Sequence, residues 1–388
     1  MRKTAIRLAD GRELLYYDRD EGTVRDTVDE RPFDLVATAS EVRHDPLLGD
    51  DVCIASHRQG RTYHPPADEC PLCPSAADRR SEIPASDYDV VVFENRFPSL
   101  AGDLGRCEVV CFTSDHHASF AELSEEQAAL VLAAWTDRTA VLAELPRVTQ
   151  VFCFENRGAE IGVTLGHPHG QIYAYPYVTR RTAAMLAALD RHARATGGNL
   201  FDDLLARELA DRTRLVLEAE HWVAYVPYAA RWPYEVHLHP RQRVPDLRAL
   251  GDAARAAFPG VYLELLRRFD RVFGPDAPPT PYIAAWHQAP FGTGTPDGPA
   301  GGGGPAGPPG AGGTAPVDRA EFALHLQLFT VRRAPGKLKF LAGSESGMDA
   351  FINDVLPETA AARLREVASP AAEVPAAAVG PRGGRSRR

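Results

Sequence analysis

No apolar run in the 388 residues reaches membrane-spanning length, and the basic start, Met1 to Asp20, leads into no apolar signal segment. The expectation is a cytoplasmic protein with no membrane partner. A long basic stripe is missing too. With a formal charge of −9, the composition argues against a nucleic-acid backbone as partner. Cysteine is scarce: only Cys53, Cys70, Cys73, Cys107, Cys111 and Cys153. In a reducing compartment these read as buried thiols or ligands before disulfides. Only one CxxC is present, Cys70-Pro71-Leu72-Cys73, and a tetrahedral metal site built on it must borrow histidines. Prolines on both sides and no clean helix after it weaken a redox reading, because a low-pKa thiol usually sits at a helix N-terminus. What remains is 44% hydrophobic and 24% charged, the balance of a globular chain with room for two domains.

Short β-branched runs at 88–93, 106–112, 147–156 and 170–177 predict strands. A helix is predicted from Ser124 to Leu145, with Ser124 as cap and Gln127 at the reciprocal position. Its apolar stripe is Leu130, Val131, Ala134, Trp135, Val141, Leu142 and Leu145. The alanine-rich stretch 180–210 reads as helical, interrupted at Gly197-Gly198. The second half echoes the first. "VVFENRFPSL" and "RCEVVCFTSDH" are matched by "HWVAYVPYAARWPYEVHLHP", and "VFCFEN" leading to His167 and His169 by "PYIAAWHQAP" leading to His325 and Gln327. A duplicated β-hairpin and helix unit accounts for both echoes and predicts an α+β fold, mostly antiparallel sheet flanked by helices. The expected division is 1–195, 196–368 with a disordered Gly/Pro insertion at 292–316, and a disordered tail at 369–388.

The densest chemistry lies in "LGHPHGQIYAYP", 165–176. Pro168 stiffens the backbone between His167 and His169. Metal on both imidazoles would consume the best nucleophile in the region. A division of labour makes better sense, with His167 anchoring the segment and His169 presenting an unmetallated nitrogen. A neutral imidazole attacks best when its other nitrogen donates to a backbone carbonyl. Gln171 can donate to a phosphoryl oxygen, while Arg58, Arg61 and Lys339 are candidate phosphate partners. Spacing alone leaves the histidine ligands open among His116, His117 and His167.

Taken together, "CPLC", "VVFENRFPSL", "CFTSDHHASFAELS", "FENRG", "GHPHGQ", "WHQAPF" and "KLKFLAGSE" resemble the galactose-1-phosphate uridylyltransferases of the histidine-triad superfamily. The likeness runs from about Val42 to Val367, apart from the Gly/Pro insertion. It implies a duplicated histidine-triad-like fold and double displacement through a uridylyl-histidine intermediate. UDP-glucose and galactose 1-phosphate would give UDP-galactose and glucose 1-phosphate. By the resemblance His169 is the nucleophile and Gln171 bonds the phosphoryl group. One structural zinc per subunit is held by Cys70, Cys73, His116 and His167, where "SDH" picks His116 over His117. Arg58, Arg61, Asn95, Asn156, Gly162 and Thr164 line the nucleotide and phosphates, with Thr164 where a serine is usual. Lys339 completes the site, and Glu345 accepts the sugar hydroxyl beside Ser344, which replaces a tyrosine. A homodimer with shared sites is implied.

Many relatives hold a second iron or zinc with a glutamate, a histidine and a His-x-His pair. Here His287 and His325 remain, Gln327 replaces the second histidine of the pair, and 180–188 offers no glutamate. Two imidazoles and an amide bind a transition metal poorly. The expectation is therefore no second metal, with Glu321 or Glu345 the candidate replacement ligands. The rival activities are another histidine-triad nucleotidyltransferase, a dinucleoside-polyphosphate phosphorylase, or nucleotide binding without turnover.

Overall fold

Eleven strands among the described residues join into one antiparallel sheet, and the four predicted runs at 88–93, 106–112, 147–156 and 170–177 each supply one of them. The computed structural model describes residues 1–32, 40–60, 65–291 and 318–370. The predicted Gly/Pro insertion lies outside the described residues, as does the predicted tail beyond residue 370. In chain order the sheet strands are β1 (Arg2–Arg7), β2 (Glu13–Asp18), β3 (Val90–Glu94), β4 (Arg106–Cys111), β5 (Gln150–Arg157) and β6 (His169–Tyr175). They continue with β7 (Leu215–Glu218), β8 (Trp222–Tyr225), β9 (Val236–Pro240), β10 (Tyr282–His287) and β11 (His325–Phe329). In space they run β1-β2-β3-β4-β6-β5-β10-β11-β9-β8-β7. Four longer helices accompany them: α1 (Glu125–Ala143), α2 (Arg180–Thr196), α3 (Leu200–Asp211) and α4 (Asp252–Arg271). None among the described residues is long and apolar enough to cross a membrane.

The connectivity repeats. Strands β3 and β4, helix α1, then β5 and β6 occupy one half of the sheet; β8 and β9, helix α4, then β10 and β11 occupy the other in the same spatial order. The halves meet where β5 pairs with β10, Phe154 opposite Ala285. Both helices pack on one face of the sheet and on each other. Side chains alternate between faces along a strand. On β4 and β6, Val110, Ile172 and Ala174 therefore enter the helix-covered core, while Val109, Cys111, His169 and Gln171 face the other way. The core runs unbroken across both halves. Trp286 on β10 lies 6.4 Å from Trp135 of α1, 6.3 Å from Trp222 of β8 and 5.4 Å from Phe258 of α4, ring centre to ring centre.

Helix α1 begins as expected, with the Ser124 hydroxyl accepting from Gln127 N at 3.1 Å. The reciprocal half of the box is not made. Gln127 is buried and donates its amide to the carbonyls of Asp89 and Phe112, tying the helix start to two sheet strands' ends. Val141, on the last turn, and Leu145, beyond the end of the helix, depart from the predicted stripe and lie exposed. The helical stretch after 180 breaks at Gly197, whose φ of +74° is the left-handed conformation that ends α2.

Candidate active site

The site is assembled on the open face of the first half by three irregular segments brought to β4 and β6. Cys70 and Cys73 come from the turn before β3, with Cys73 N hydrogen-bonded to Cys70 O at 3.4 Å. His116 comes from the loop after β4, and His167 from the turn into β6. Their ligand atoms lie within 4.8 Å of one another. Cys73 Sγ is 3.3 Å from His116 Nδ1 and 3.5 Å from His167 Nδ1. A tetrahedral ion with metal–sulfur near 2.3 Å and metal–nitrogen near 2.0 Å puts neighbouring ligands roughly 3.5 Å apart, so the donor set fits. Both cysteines and His167 are buried, and His117 is not a member of the cluster.

His167 is prepared for such a role by its surroundings. Its Nε2–H points at Thr113 O and Tyr88 Oη, each 2.8 Å away. That fixes the tautomer and leaves Nδ1 as the lone-pair nitrogen facing the thiols. Burial pushes the imidazole pKa down to about 4, so the ring is neutral at physiological pH. Burial and the neighbouring Cys70 push the Cys73 thiol up to about 11, which leaves a buried sulfur that a cation would convert to a thiolate.

His167 also sets the next imidazole. His169 Nδ1–H donates to His167 O at 2.8 Å, so Nε2 carries the free lone pair. Burial lowers the pKa of His169 below the ordinary histidine value, which favours the neutral ring further. The residue between His169 and Gln171 has to be glycine. A Cβ on Gly170 would lie 2.8 Å from both Phe112 Cζ and Phe154 O. Close strand packing at Gly170 thus presents His169 and Gln171 side by side toward a cavity of about 140 Å³.

That cavity also receives Arg58, Asn95 and Thr164. Arg58 is held by Ser99 Oγ and by Tyr173 Oη, the latter at 3.3 Å. Asn95 spends its carbonyl oxygen on Phe97 N at 2.8 Å, closing the turn after β3 and leaving its amide N–H groups for a ligand. Asn156 stands on β5, with the alternation that puts Phe154 opposite Gln171, but does not line the cavity. Gly162 closes a turn at φ +78° outside it. Arg61 lies outside the described residues. Lys339 and Glu345 are away from this cavity, buried and paired to each other at 2.7 Å.

Residues 101–179 match the family described as galactose-1-phosphate uridyl transferase, N-terminal domain, and 186–300 match its C-terminal domain. The galactose-1-phosphate uridylyltransferase of Streptomyces lividans is 62% identical over 95% of this chain and 98% of its own length. The chain belongs to the galactose-1-phosphate uridylyltransferase family. The enzyme of that name from Thermotoga maritima is 33% identical, covering 84% of this chain and 98% of its own. A solved uridylyltransferase structure at 29% identity superposes with a TM-score of 0.67, over 84% of this chain and 97% of that one.

Sequence reasoning missed part of this cavity. Glu82 and Arg96 line it, with Phe93 and Phe97 as apolar walls. Glu82 is buried, receives Arg12 and Arg31, and lies 3.8 Å from Arg96. Nothing periodic marks Glu82, which follows the CxxC in a turn-rich segment. On the second half Gln327 Oε1 lies 3.1 Å from His287 Nε2 and accepts from Arg181 Nη1 at 2.5 Å. Neither suggested replacement ligand reaches these residues. Glu321 accepts from Asn199, and Glu345 is held by Lys339.

Proposed function

We propose that this chain transfers a uridylyl group from UDP-glucose to galactose 1-phosphate, yielding UDP-galactose and glucose 1-phosphate, with His169 carrying the group in between. The observation that carries the assignment is the His169 Nδ1–H to His167 O bond, which leaves Nε2 basic and facing the cavity. In the first step Nε2 forms a bond to the α-phosphorus as the bond to the glucose 1-phosphate oxygen breaks. The leaving group is a phosphate, stable as an anion, and needs no dedicated acid. The phosphorylated imidazole keeps its Nδ1 proton on His167 O throughout. In the second step a phosphate oxygen of galactose 1-phosphate takes the uridylyl group and the nitrogen lone pair is restored. Gln171 and Arg58 stabilise the charge that spreads over the phosphoryl oxygens, and Asn95 and Thr164 position the nucleotide. For Arg61, Asn156 and Gly162 a role on the nucleotide and phosphates rests on the resemblance alone, since Asn156 and Gly162 do not line this cavity.

Cys70, Cys73, His116 and His167 would hold one structural zinc. Four protein ligands leave no open position for water, so the ion would fix the segment that carries His169. The cavity of the second half takes no iron or zinc: Arg181 and the engaged Gln327 oppose a cation there. Lys339 and Glu345 serve the site of a second subunit, with Lys339 on phosphate and Glu345 on a sugar hydroxyl, which makes the working form a cytoplasmic homodimer. Their separation from the His169 cavity of their own chain supports this reading. The repeated connectivity supports two duplicated histidine-triad-like halves, 1–195 and 196–368.

The deciding experiment is incubation with UDP-glucose alone, reading intact mass and released glucose 1-phosphate. A uridylyl mass with stoichiometric sugar phosphate is expected. Binding without adduct, or an adduct from a different nucleotide sugar only, would overturn the assignment.

A further inference from the structure

The second half repeats the nucleophile's local geometry in a cavity the uridylyl chemistry does not use. His325 Nδ1–H donates to Ala323 O at 2.9 Å, as His169 donates to His167 O, and Gln327 follows two residues on, as Gln171 does. The registers agree as well. Gln171 lies between Val109 and Phe154, Gln327 between His237 and Ala285. This second cavity measures about 360 Å³ and opens on Arg181, Arg231, Glu235, His237, His287 and His325.

Its charges differ from those of a metal site. Neither arginine side chain has a carboxylate partner among the described residues. Arg181 gives one nitrogen to Gln327, and Arg231 lies over the Phe351 ring at 5.2 Å. The one carboxylate, Glu235, is already spent. It accepts from Arg231 N, Trp232 N, His237 Nε2 and Gln327 Nε2 at 2.6 to 3.2 Å. Burial and the nearby Arg231 lower the pKa of Arg181, with Glu235 offsetting them only in part, a strain that an anion between the arginines would relieve. His325, with Nδ1 committed, offers Nε2 as an acceptor with no partner among the described residues.

We propose that this cavity binds a phosphate oxyanion, held by Arg181 and Arg231 and donating its own O–H to His325 Nε2. Hydrogen phosphate supplies charge and proton together, and a monoester in its monoanionic form does the same. Sulfate at neutral pH has no proton to give. Group transfer is not expected here, because the Gln327 amide is held by Arg181, His287 and Glu235 and cannot turn to a phosphoryl oxygen. The inference rests on the reading that the cavity holds no transition metal, and it requires no turnover.

The test is calorimetric titration with inorganic phosphate, with sulfate and glucose 1-phosphate in parallel, on the full chain and three variants, with elemental analysis of the full chain and of His287→Ala. One phosphate per chain should bind, persist in Arg58→Ala, weaken about tenfold or more in Arg181→Ala and recover in part in Arg181→Lys. Sulfate should bind at least about tenfold more weakly. Uridylylation of Arg181→Ala by UDP-glucose reports that the variant is folded. Competition by glucose 1-phosphate in Arg58→Ala would identify an ester as the ligand; its absence would identify free phosphate. Phosphate binding unchanged in Arg181→Ala, equal affinity for sulfate, or a second equivalent of iron or zinc lost in His287→Ala would each overturn the proposal.

Discussion

His167 offers one ring nitrogen to the cysteine cluster and its carbonyl oxygen to His169, so a single residue couples a buried metal-type site to the imidazole beside it. Replacing His169 with glycine removes only the far end of this arrangement. The His169→Gly chain should retain its folded-state melting profile and fail to gain a uridylyl mass from UDP-glucose. A pH profile adds a second check. Burial lowers the His169 pKa, so the reactive neutral ring persists below pH 6.5. The acid limb of the single-turnover rate should have its midpoint below pH 6.5.

Gly170→Ala tests the close packing that aims the two side chains. The added methyl carbon meets a backbone oxygen and a ring carbon at 2.8 Å, so β6 has to move. Displacement of reacting groups by about 1 Å can cost about a hundredfold in rate. Single-turnover uridylylation by stopped quench should show a loss of that order with the protein still folded. A normal rate would mean that the strand absorbs the methyl without moving His169.

The metal reading separates neighbouring histidines. His116→Ala and Cys70→Ser should each lose bound zinc and lower the melting temperature, since a structural site contributes directly to folding. His117→Ala should retain both zinc and stability. Elemental analysis with thermal denaturation distinguishes the cases. Full zinc in His116→Ala would move the assignment to its neighbour.

Much of this framework is legible locally. The strands from 88 to 177 are runs of β-branched and aromatic residues, Ser124 caps its helix, and Gly197 ends the next. Cys70, Cys73, His167, His169 and Gln171 lie in two short motifs whose spacing carries their chemistry. Glu82 and Tyr88 are not legible, because their roles depend on which irregular segment reaches them. Tyr88 meets His167, 79 positions away, and Glu82 meets Arg12, 70 away. The Gln127 side chain is similar: a local capping pattern is overruled by two sheet carbonyls that only the tertiary fold supplies.

Glu155 gives the fold a pH signature away from the site. Burial pushes its carboxyl pKa up to about 7, only partly offset by Arg157 and the Tyr282 hydroxyl. Its folded value lies above its unfolded value near 4.5, so its stabilising contribution is complete below pH 4.5 and is lost as pH rises through about 7. The shift corresponds to roughly 3 kcal/mol between those limits. Glu155→Gln should therefore flatten the alkaline fall in stability, gaining on the parent chain between pH 6 and 8. Urea denaturation at both pH values measures the difference, and parallel curves would show that the carboxyl ionises freely in the fold.

The shared-site reading makes a prediction that single variants cannot. Lys339 and Glu345 pair at 2.7 Å away from the His169 cavity of their own chain. A chain carrying His169→Gly and a chain carrying Lys339→Ala with Glu345→Ala should each be nearly inactive alone. In a heterodimer of the two, His169 of the second variant meets intact Lys339 and Glu345 of the first, restoring one site of two. Random exchange in an equal mixture makes half the dimers mixed, so activity should return to about a quarter of the parent value. Dissociation and slow reassociation, followed by steady-state assay, provides the measurement. Should the mixture remain as inactive as its parts while mass photometry shows mixed dimers, Lys339 and Glu345 act within their own subunit or not in the site at all.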